Sequence, residues 1–276
     1  MRLGVASSLA HSSPEEWGEK MRSLGCGAVV FPVDYTAADD IIHRYENAAE
    51  QNDLIIAEVG VWRNPIAPDV KVRLNSLEFC KGQLALADAI GANCCVNIAG
   101  SVGDIWDGAY KENFSGDTWK KTVESIQEII DHVNPSCTYY TIEPMPWMFP
   151  SDPDEYLRLL KDVDREHFAV HMDLCNWITS PRKYFFSGEF AEECFAAIGK
   201  YVKSCHLKDV ALGGEFTFRL NETYCGGGSI DLEKYVLEAL KINPDMPIII
   251  EHLHGDDEYL ESLEYVKRRF ARLVKN

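Results

Sequence analysis

The chain has 276 residues, 46% hydrophobic and 26% charged, so it can bury a substantial core and is not of the disordered class. Its formal net charge of −17 at pH 7 disfavours nucleic acid and anionic membrane surfaces as partners, because their phosphates would be repelled. Nine cysteines without CxxC spacing, and no apolar stretch near the roughly 18 residues of a membrane span, predict a reduced, cytoplasmic protein.

Short apolar segments alternate with amphipathic segments along the whole chain. The first strand is predicted at the N-terminus itself, where no signal-peptide pattern precedes it. Strands are predicted at residues 3–6, 28–32, 55–59, 94–99, 138–143, 168–173, 202–207 and 247–251. Helices are predicted between them, at residues 14–24, 37–52, 70–90, 119–133, 153–160, 190–198, 232–240 and 257–274. Ser13 before Pro14 is a typical helix N-cap, and Gly25 and Gly91 follow helix ends.

Eight alternating strand and helix units predict an α/β protein, a single (β/α)₈ TIM barrel that spans residues 1–276 as one domain. An open doubly wound sheet is the competing architecture, but the first strand lacks the GxGxxG turn of dinucleotide-binding folds. The longest irregular stretches, residues 60–69, 100–118 and 174–188, follow the third, fourth and sixth strands. We therefore expect the active site on that face of the barrel.

Four successive strands end in side chains that bind divalent metals: Glu143, Asp173, His206 and Glu251. An acid after a strand is often only a helix cap or a solvated loop residue, and one histidine can be a core residue. For the cluster to be accidental, one such explanation would have to hold separately at each of four successive strands. Since the ends of barrel strands converge, the sequence predicts one divalent metal ion, Mn²⁺ first and Mg²⁺, Co²⁺ or Zn²⁺ as alternatives.

Essentially the full chain resembles the xylose isomerase-like TIM barrels, which include sugar phosphate isomerases and epimerases, and the motifs concentrate in its second half. The resemblance rests on residues 142–144 (IEP), 170–173 (VHMD), 205–209 (CHLKD), 226–231 (GGGSID) and 249–252 (IIEH). It implies that Glu143, Asp173, His206 and Glu251 are metal ligands. It also implies that Glu143 and Glu251 act as base and acid next to a metal-bound carbonyl, through an enediolate.

Further residues are predicted to bind substrate: His171, Asn176, Lys208, Glu58 and Trp62. Each has an ordinary alternative. His171 can be a satisfied interior histidine, Lys208 can form a surface salt bridge, and Trp62 can serve packing alone.

The resemblance is incomplete at two positions. Many members place a histidine where this chain has Asn176, and 3-epimerases tend to have an arginine where it has Leu212, with Arg219 the nearest arginine. The run Gly226–Gly228 is interpreted as a turn before a helix capped by Asp231, with a phosphate cradle as the alternative.

These features favour an isomerase or epimerase that acts on a ketose or related polyol, and the substrate class includes sugar phosphates. The sequence leaves homo-oligomerisation open. A lyase of the inosose dehydratase type would use the same chemistry. A nuclease of the abasic-site type is disfavoured, because it needs additional histidines and a basic face, whereas the chain has eight histidines and is acidic. A non-catalytic sugar-binding barrel is a further alternative, but it would not explain the function of the four-residue cluster.

Overall fold

The computed structural model describes residues 1–274. Eight parallel strands form one sheet: β1 (Arg2–Val5), β2 (Ala28–Val30), β3 (Ile55–Gly60), β4 (Cys94–Asn97), β5 (Tyr140–Ile142), β6 (Phe168–Asp173), β7 (Val202–Leu207) and β10 (Pro247–Ile250). A separate antiparallel hairpin consists of β8 (Asp209–Leu212) and β9 (Leu220–Thr223). The helices are α1 (Pro14–Ser23), α2 (Asp39–Gln51), α3 (Val70–Ala89), α4 (Gly116–Val133), α5 (Pro153–Val163), α6 (Pro181–Phe185), α7 (Ser187–Ile198), α8 (Leu232–Ile242) and α9 (Asp256–Arg269).

The strands follow each other around the sheet in the order β1-β10-β7-β6-β5-β4-β3-β2. At the two ends of this order, Gly27 N donates to Leu3 O over 2.8 Å, which brings β2 against β1 and nearly closes the barrel. Gly4 permits this approach, because a Cβ there would collide with the carbonyl oxygen of Ala28. The predicted (β/α)₈ fold is therefore confirmed.

Apolar faces of the helices pack on the outside of the barrel and form the main core, with Trp17, Trp177 and Tyr156 among its largest fully buried side chains. All nine cysteines are free and seven are buried, as expected for core residues. Within the described part of the chain, no helix combines the length and apolarity that crossing a membrane requires.

The prediction missed two elements. The segment between β7 and α8, left without structure, contains the β8–β9 hairpin, and the irregular stretch 174–188 contains the short helix α6. The two strands of the missed hairpin have four residues each and only the first two residues of β8 are buried, so the hairpin carries little of the apolar periodicity from which strands are predicted. Several strands also end earlier than predicted, with Glu143 and Glu251 one residue past β5 and β10.

Candidate metal centre

The four predicted ligands meet at the C-terminal ends of neighbouring barrel strands. Asp173 at the end of β6 is the register partner of His206 on β7, and His206 is also the partner of Ile249 on β10, two residues before Glu251. Glu143 is anchored just past β5 because its N–H donates to Asn97 O over 2.7 Å. Parallel pairing thus brings four side chains together that are up to 108 residues apart in sequence, from Glu143 to Glu251.

The spacing of the donor atoms suits one metal ion. One donor atom from each residue lies within 4.8 Å of all the others. The Nδ1 atom of His206 is 2.8 Å from Glu251 Oε1, 3.5 Å from Glu143 Oε1 and 4.0 Å from Asp173 Oδ2. Donors about 2.1 Å from a shared octahedral ion are separated by about 3.0 Å when adjacent and about 4.2 Å when opposite. Three carboxylates and one imidazole therefore fit a divalent cation in both chemistry and size.

The ammonium group of Lys208 lies inside this cluster. Its Nζ is 2.6 Å from Asp173 Oδ2, 2.5 Å from Glu251 Oε1 and 3.4 Å from Glu143 Oε1. The side chain is 2% exposed, so these carboxylates rather than water balance its charge. Lys208 was predicted to contact substrate, whereas its observed contacts are with the ligand carboxylates and with Asn176. It supplies positive charge at the place where a metal ion would also bind.

The cluster has different effects on the pKa values of its two glutamates. Burial, followed by the neighbouring carboxylate of Glu251, raises the pKa of Glu143 to about 6. Burial also opposes ionisation of Glu251, but His206 and Lys208 outweigh it and hold the pKa of Glu251 well below its usual value. Two carboxyl groups at one site with pKa values displaced in opposite directions are typical of an acid and base pair.

His206 is strongly biased toward its charged form. Burial alone would lower its pKa, but the carboxylates of Glu251, Glu58 and Glu143 together raise the pKa well above the usual value. A metal ion bound at Nδ1 must therefore displace a proton.

A second layer of polar residues lies on the other side of His206. Glu58 on β3 is 1% exposed; its Oε2 is 3.2 Å from His206 Nε2, and its Oε1 accepts a hydrogen bond from Ser204 over 2.5 Å. The ring of His171 stands edge-on to that of His206, with the ring centroids 4.0 Å apart, and is fully buried. Burial, with the charge of His206 next, lowers the pKa of His171 to about 4. Glu58 and His171 were predicted to bind substrate, but both lie behind His206.

A cavity of about 230 Å³ is lined in part by Glu143. Trp62, Trp106 and Met145 supply much of its apolar wall, and His252 lies at its edge. Trp62 has a left-handed backbone, with φ of 52°, and is 37% exposed. Asn176, in a 3₁₀ turn at Cys175–Trp177, donates from Nδ2 to Glu143 Oε1 over 2.9 Å. Of the residues predicted to contact substrate, Trp62 lines the cavity, whereas Asn176 contacts the carboxylate that forms part of its floor.

The glycine-rich segment is a structural turn. Asp209 accepts hydrogen bonds from the N–H groups of Gly226, Gly228 and Ile230, at 2.9 to 3.2 Å. Asp231 is the N-cap of α8, as predicted. The alternative of a phosphate cradle is wrong, because these N–H groups are already bound to a carboxylate of the chain.

The β8–β9 hairpin brings further residues to the mouth of the barrel that the prediction did not assign to the site. Glu222 on β9 lies with Oε1 2.8 Å from His252 Nδ1, which links the hairpin to the residue after Glu251. Leu212 is 45% exposed at the end of β8, and Arg219 pairs with Glu215. The position of Ser204 near His206 could have been predicted, because residues two apart on a strand point to the same face. No sequence pattern predicts the contact of Glu58 with β7.

A family model described as "Xylose isomerase-like TIM barrel" matches residues 19–269. No curated protein sequence matches the chain. Endonuclease IV from Thermus thermophilus has a similar structure, with 15% sequence identity and a TM-score of 0.76 over 99% of this chain and 100% of that chain. A probable 3-DHS dehydratase from Bacillus anthracis has 14% identity and a TM-score of 0.73 over 97% of this chain and 99% of that chain. D-psicose 3-epimerase from Clostridium cellulolyticum has 15% identity and a TM-score of 0.68 over 99% of both chains. At these identities the structures agree with the barrel fold alone, since three different activities occur on it.

Proposed function

The chain belongs to the xylose isomerase-like TIM barrel family, and we propose that it is a metal-dependent isomerase or epimerase acting on a ketose or related polyol. The observation that carries this proposal is the cluster of Glu143, Asp173, His206 and Glu251, in which Glu143 also lines a small cavity and two carboxyl groups have pKa values displaced in opposite directions.

Glu143, Asp173, His206 and Glu251 would hold the metal ion. Mn²⁺ is the metal we propose first, because three oxygen donors and one nitrogen donor suit it, with Mg²⁺, Co²⁺ and Zn²⁺ as alternatives. When bound, such an ion polarises a carbonyl oxygen as a Lewis acid. The same ion would also offset the mutual repulsion of three buried carboxylates.

Proton transfer is the task we assign to Glu143 and Glu251. Removal of a proton next to a carbonyl needs a carboxylate within about 3 Å of that proton, and its return needs a second group that carries one. Glu251 is ionised in its surroundings, whereas Glu143 has a pKa of about 6 and takes up a proton more readily. Asn176 holds the side chain of Glu143 in place through its hydrogen bond to Oε1.

The cavity suits a compact substrate with an apolar face. Its volume of about 230 Å³ lies below the lower limit of about 300 Å³ that is usual for drug-sized ligands. The faces of Trp62 and Trp106 can pack against the C–H groups of a sugar or polyol, while its hydroxyl groups reach Glu143 and Asp107.

The test is proton exchange with solvent. The purified protein, stripped of metal and reloaded with Mn²⁺, is incubated in D₂O with a panel of ketoses and keto-inositols, and deuterium incorporation is measured by mass spectrometry. We expect incorporation with at least one substrate and a loss of about 100-fold or more in Glu251→Gln at saturating Mn²⁺. Glu261→Gln, an exposed glutamate on α9, is the matched control and should behave as wild type. No exchange and no turnover across the panel would contradict the proposal.

A lyase is the second candidate, favoured by the position of Lys208. Its ammonium group lies 2.5 Å from Glu251 Oε1, and an ion that displaces it from the ligand carboxylates would leave a proton donor beside the site, as the loss of a β-hydroxyl group requires. One of the similar structures is that of a probable 3-DHS dehydratase. An ultraviolet-absorbing unsaturated ketone as product would favour the lyase, and exchange without such a product favours the isomerase or epimerase. Tight ligand binding without either would point to a non-catalytic sugar-binding barrel.

A further inference from the structure

Glu58 is a buried acid that the proposed reaction does not use. It comes from β3, whereas Ser204 and His206, which contact its two oxygens, come from β7. Its side chain therefore reaches across the interior of the barrel to the side of the imidazole opposite the other ligands. At 1% exposure it has no access to a substrate in the cavity, and Glu58 is absent from the cavity walls.

The two ring nitrogens of His206 face different partners. Nδ1 is directed at Glu251, Glu143 and Asp173, whereas Nε2 is directed at Glu58. An ionised carboxylate only accepts hydrogen bonds, so the contact at 3.2 Å requires the proton to be on Nε2. A neutral imidazole with its proton on Nε2 has its lone pair on Nδ1, on the side of the three carboxylates.

We infer that Glu58 is a positioning residue that fixes the ring orientation and tautomer of His206 so that Nδ1 is presented as a metal ligand. Such a carboxylate behind a ligating histidine also increases the basicity of the ligand. The hydrogen bond from Ser204 holds Glu58 itself, and the perpendicular ring of His171 limits rotation of His206. The inference rests on the metal site of the proposed function, but not on the reaction.

The same residues suggest one competing interpretation. Glu58, His171 and His206 also have ligand atoms within 4.8 Å of one another, as a second cation site would require. Both oxygens of Glu58 are, however, already engaged by Ser204 and His206, and His171 Nδ1 is 3.7 Å from Glu58 Oε1. A second ion bound to His206 Nε2 would have to break the hydrogen bond between that atom and Glu58, so the geometry favours positioning over binding.

The experiment measures Mn²⁺ affinity and stoichiometry by titration calorimetry on the full chain after removal of metal with a chelator. Glu58→Leu removes the acceptor, and Glu58→Gln keeps an amide oxygen that can still accept from Nε2. We expect one Mn²⁺ per wild-type chain, a dissociation constant raised 10- to 100-fold in Glu58→Leu, and a smaller rise in Glu58→Gln. Ser204→Ala, which removes the hydrogen bond to the other oxygen and leaves His206 untouched, is the matched control and should change the constant less than either.

A second measurement separates positioning from a general loss of structure. Long-range ¹H–¹⁵N correlation spectra of the protein loaded with diamagnetic Zn²⁺ report which ring nitrogen carries the proton. We expect it on Nε2 of His206 in the wild type and in Glu58→Gln, so the conservative variant rescues the tautomer. A proton on Nδ1, two Mn²⁺ per chain, or wild-type affinity in both Glu58 variants would overturn the inference. If the wild type binds Mn²⁺ and Glu58 behaves as expected, but no substrate exchanges, only the proposed reaction fails.

Discussion

Replacing Lys208 with methionine should destabilise the metal-free protein and strengthen its binding of Mn²⁺. Its ammonium group lies 2.5 to 3.4 Å from three carboxylates, and its side chain is 2% exposed. Removing one partner of a buried ion pair typically costs about 3–5 kcal/mol. At about 2–4 °C per kcal/mol for a chain of this size class, we expect the Tm of metal-free Lys208→Met to fall by about 6–20 °C.

Binding of Mn²⁺ should become stronger in the same variant. An ammonium group and a metal ion cannot occupy the same space among Asp173, Glu251 and Glu143, so the ion must displace Nζ in the wild type. Without that cost and that repulsion, we expect the dissociation constant to fall by at least about tenfold, or about 1.4 kcal/mol. Saturating Mn²⁺ should narrow the Tm difference between the variant and the wild type, because a divalent cation replaces the missing charge.

The assays are differential scanning calorimetry with and without Mn²⁺, and titration calorimetry with chelator-stripped protein. Lys120→Met is the matched control, because Lys120 forms an exposed ion pair with Glu124 at 3.6 Å, whose loss should cost less than about 1 kcal/mol. An unchanged Tm of metal-free Lys208→Met, or weaker binding of Mn²⁺, would refute the reasoning that Lys208 is the internal counter-ion of the site.

Three further predictions test other contacts. Because the pKa of His206 is raised, Mn²⁺ binding at neutral pH should release about one proton and should strengthen as pH rises. Calorimetry in two buffers of different ionisation enthalpy measures the proton release, and binding without release would contradict the raised pKa. Burial opposes ionisation of Asp88, but the N–H groups of residues 136–138 outweigh it and lower its pKa from 3.8 to about 2. Its contribution to stability is therefore present above pH 4 and lost as pH falls to 2. After allowance for solvent screening, Asp88→Asn should lower the free energy of unfolding in urea by about 1–2 kcal/mol at pH 7 and by nearly nothing at pH 2. An equal loss at both pH values would contradict this prediction. Tyr156→Phe removes a buried hydroxyl that donates to Ile142 O over 2.5 Å, one residue before Glu143, and should lower the free energy of unfolding by about 1–3 kcal/mol, whereas an unchanged urea midpoint would show that this bond contributes nothing.

The fold was predictable because barrel strands are nearly continuous apolar runs. Residues 168–173 and 202–207 were predicted with the bounds that the structure has, and both are almost wholly buried. The hairpin of β8 and β9 was not predictable in this way, since only two of its strand residues are buried and its loop residues 213–219 carry no regular pattern. Helix ends were predicted where a cap gave a local signal, as at Ser13 and Asp231.

The candidate site was predictable only in part, and the reason is the range of the interactions. Glu143, Asp173, His206 and Glu251 could be selected because each stands at the end of a strand, a property that the chain itself encodes. The contacts of Lys208 could not be predicted, because a long side chain at that position can equally extend to solvent. Which groups surround its ammonium depends on how the neighbouring strands are staggered.

By itself, the sequence determined the eight strand and helix units, the order of the four candidate ligands and their position at one face of a barrel. Strand periodicity and strand ends are local properties, and the convergence of parallel strands follows from them. Tertiary structure alone decided that Glu58 reaches His206 from the opposite strand, that Lys208 lies among the ligand carboxylates and that Asp209 occupies the glycine-rich turn. These contacts depend on barrel closure and on shifts of register, such as that between Val170 and His171, which no local pattern records.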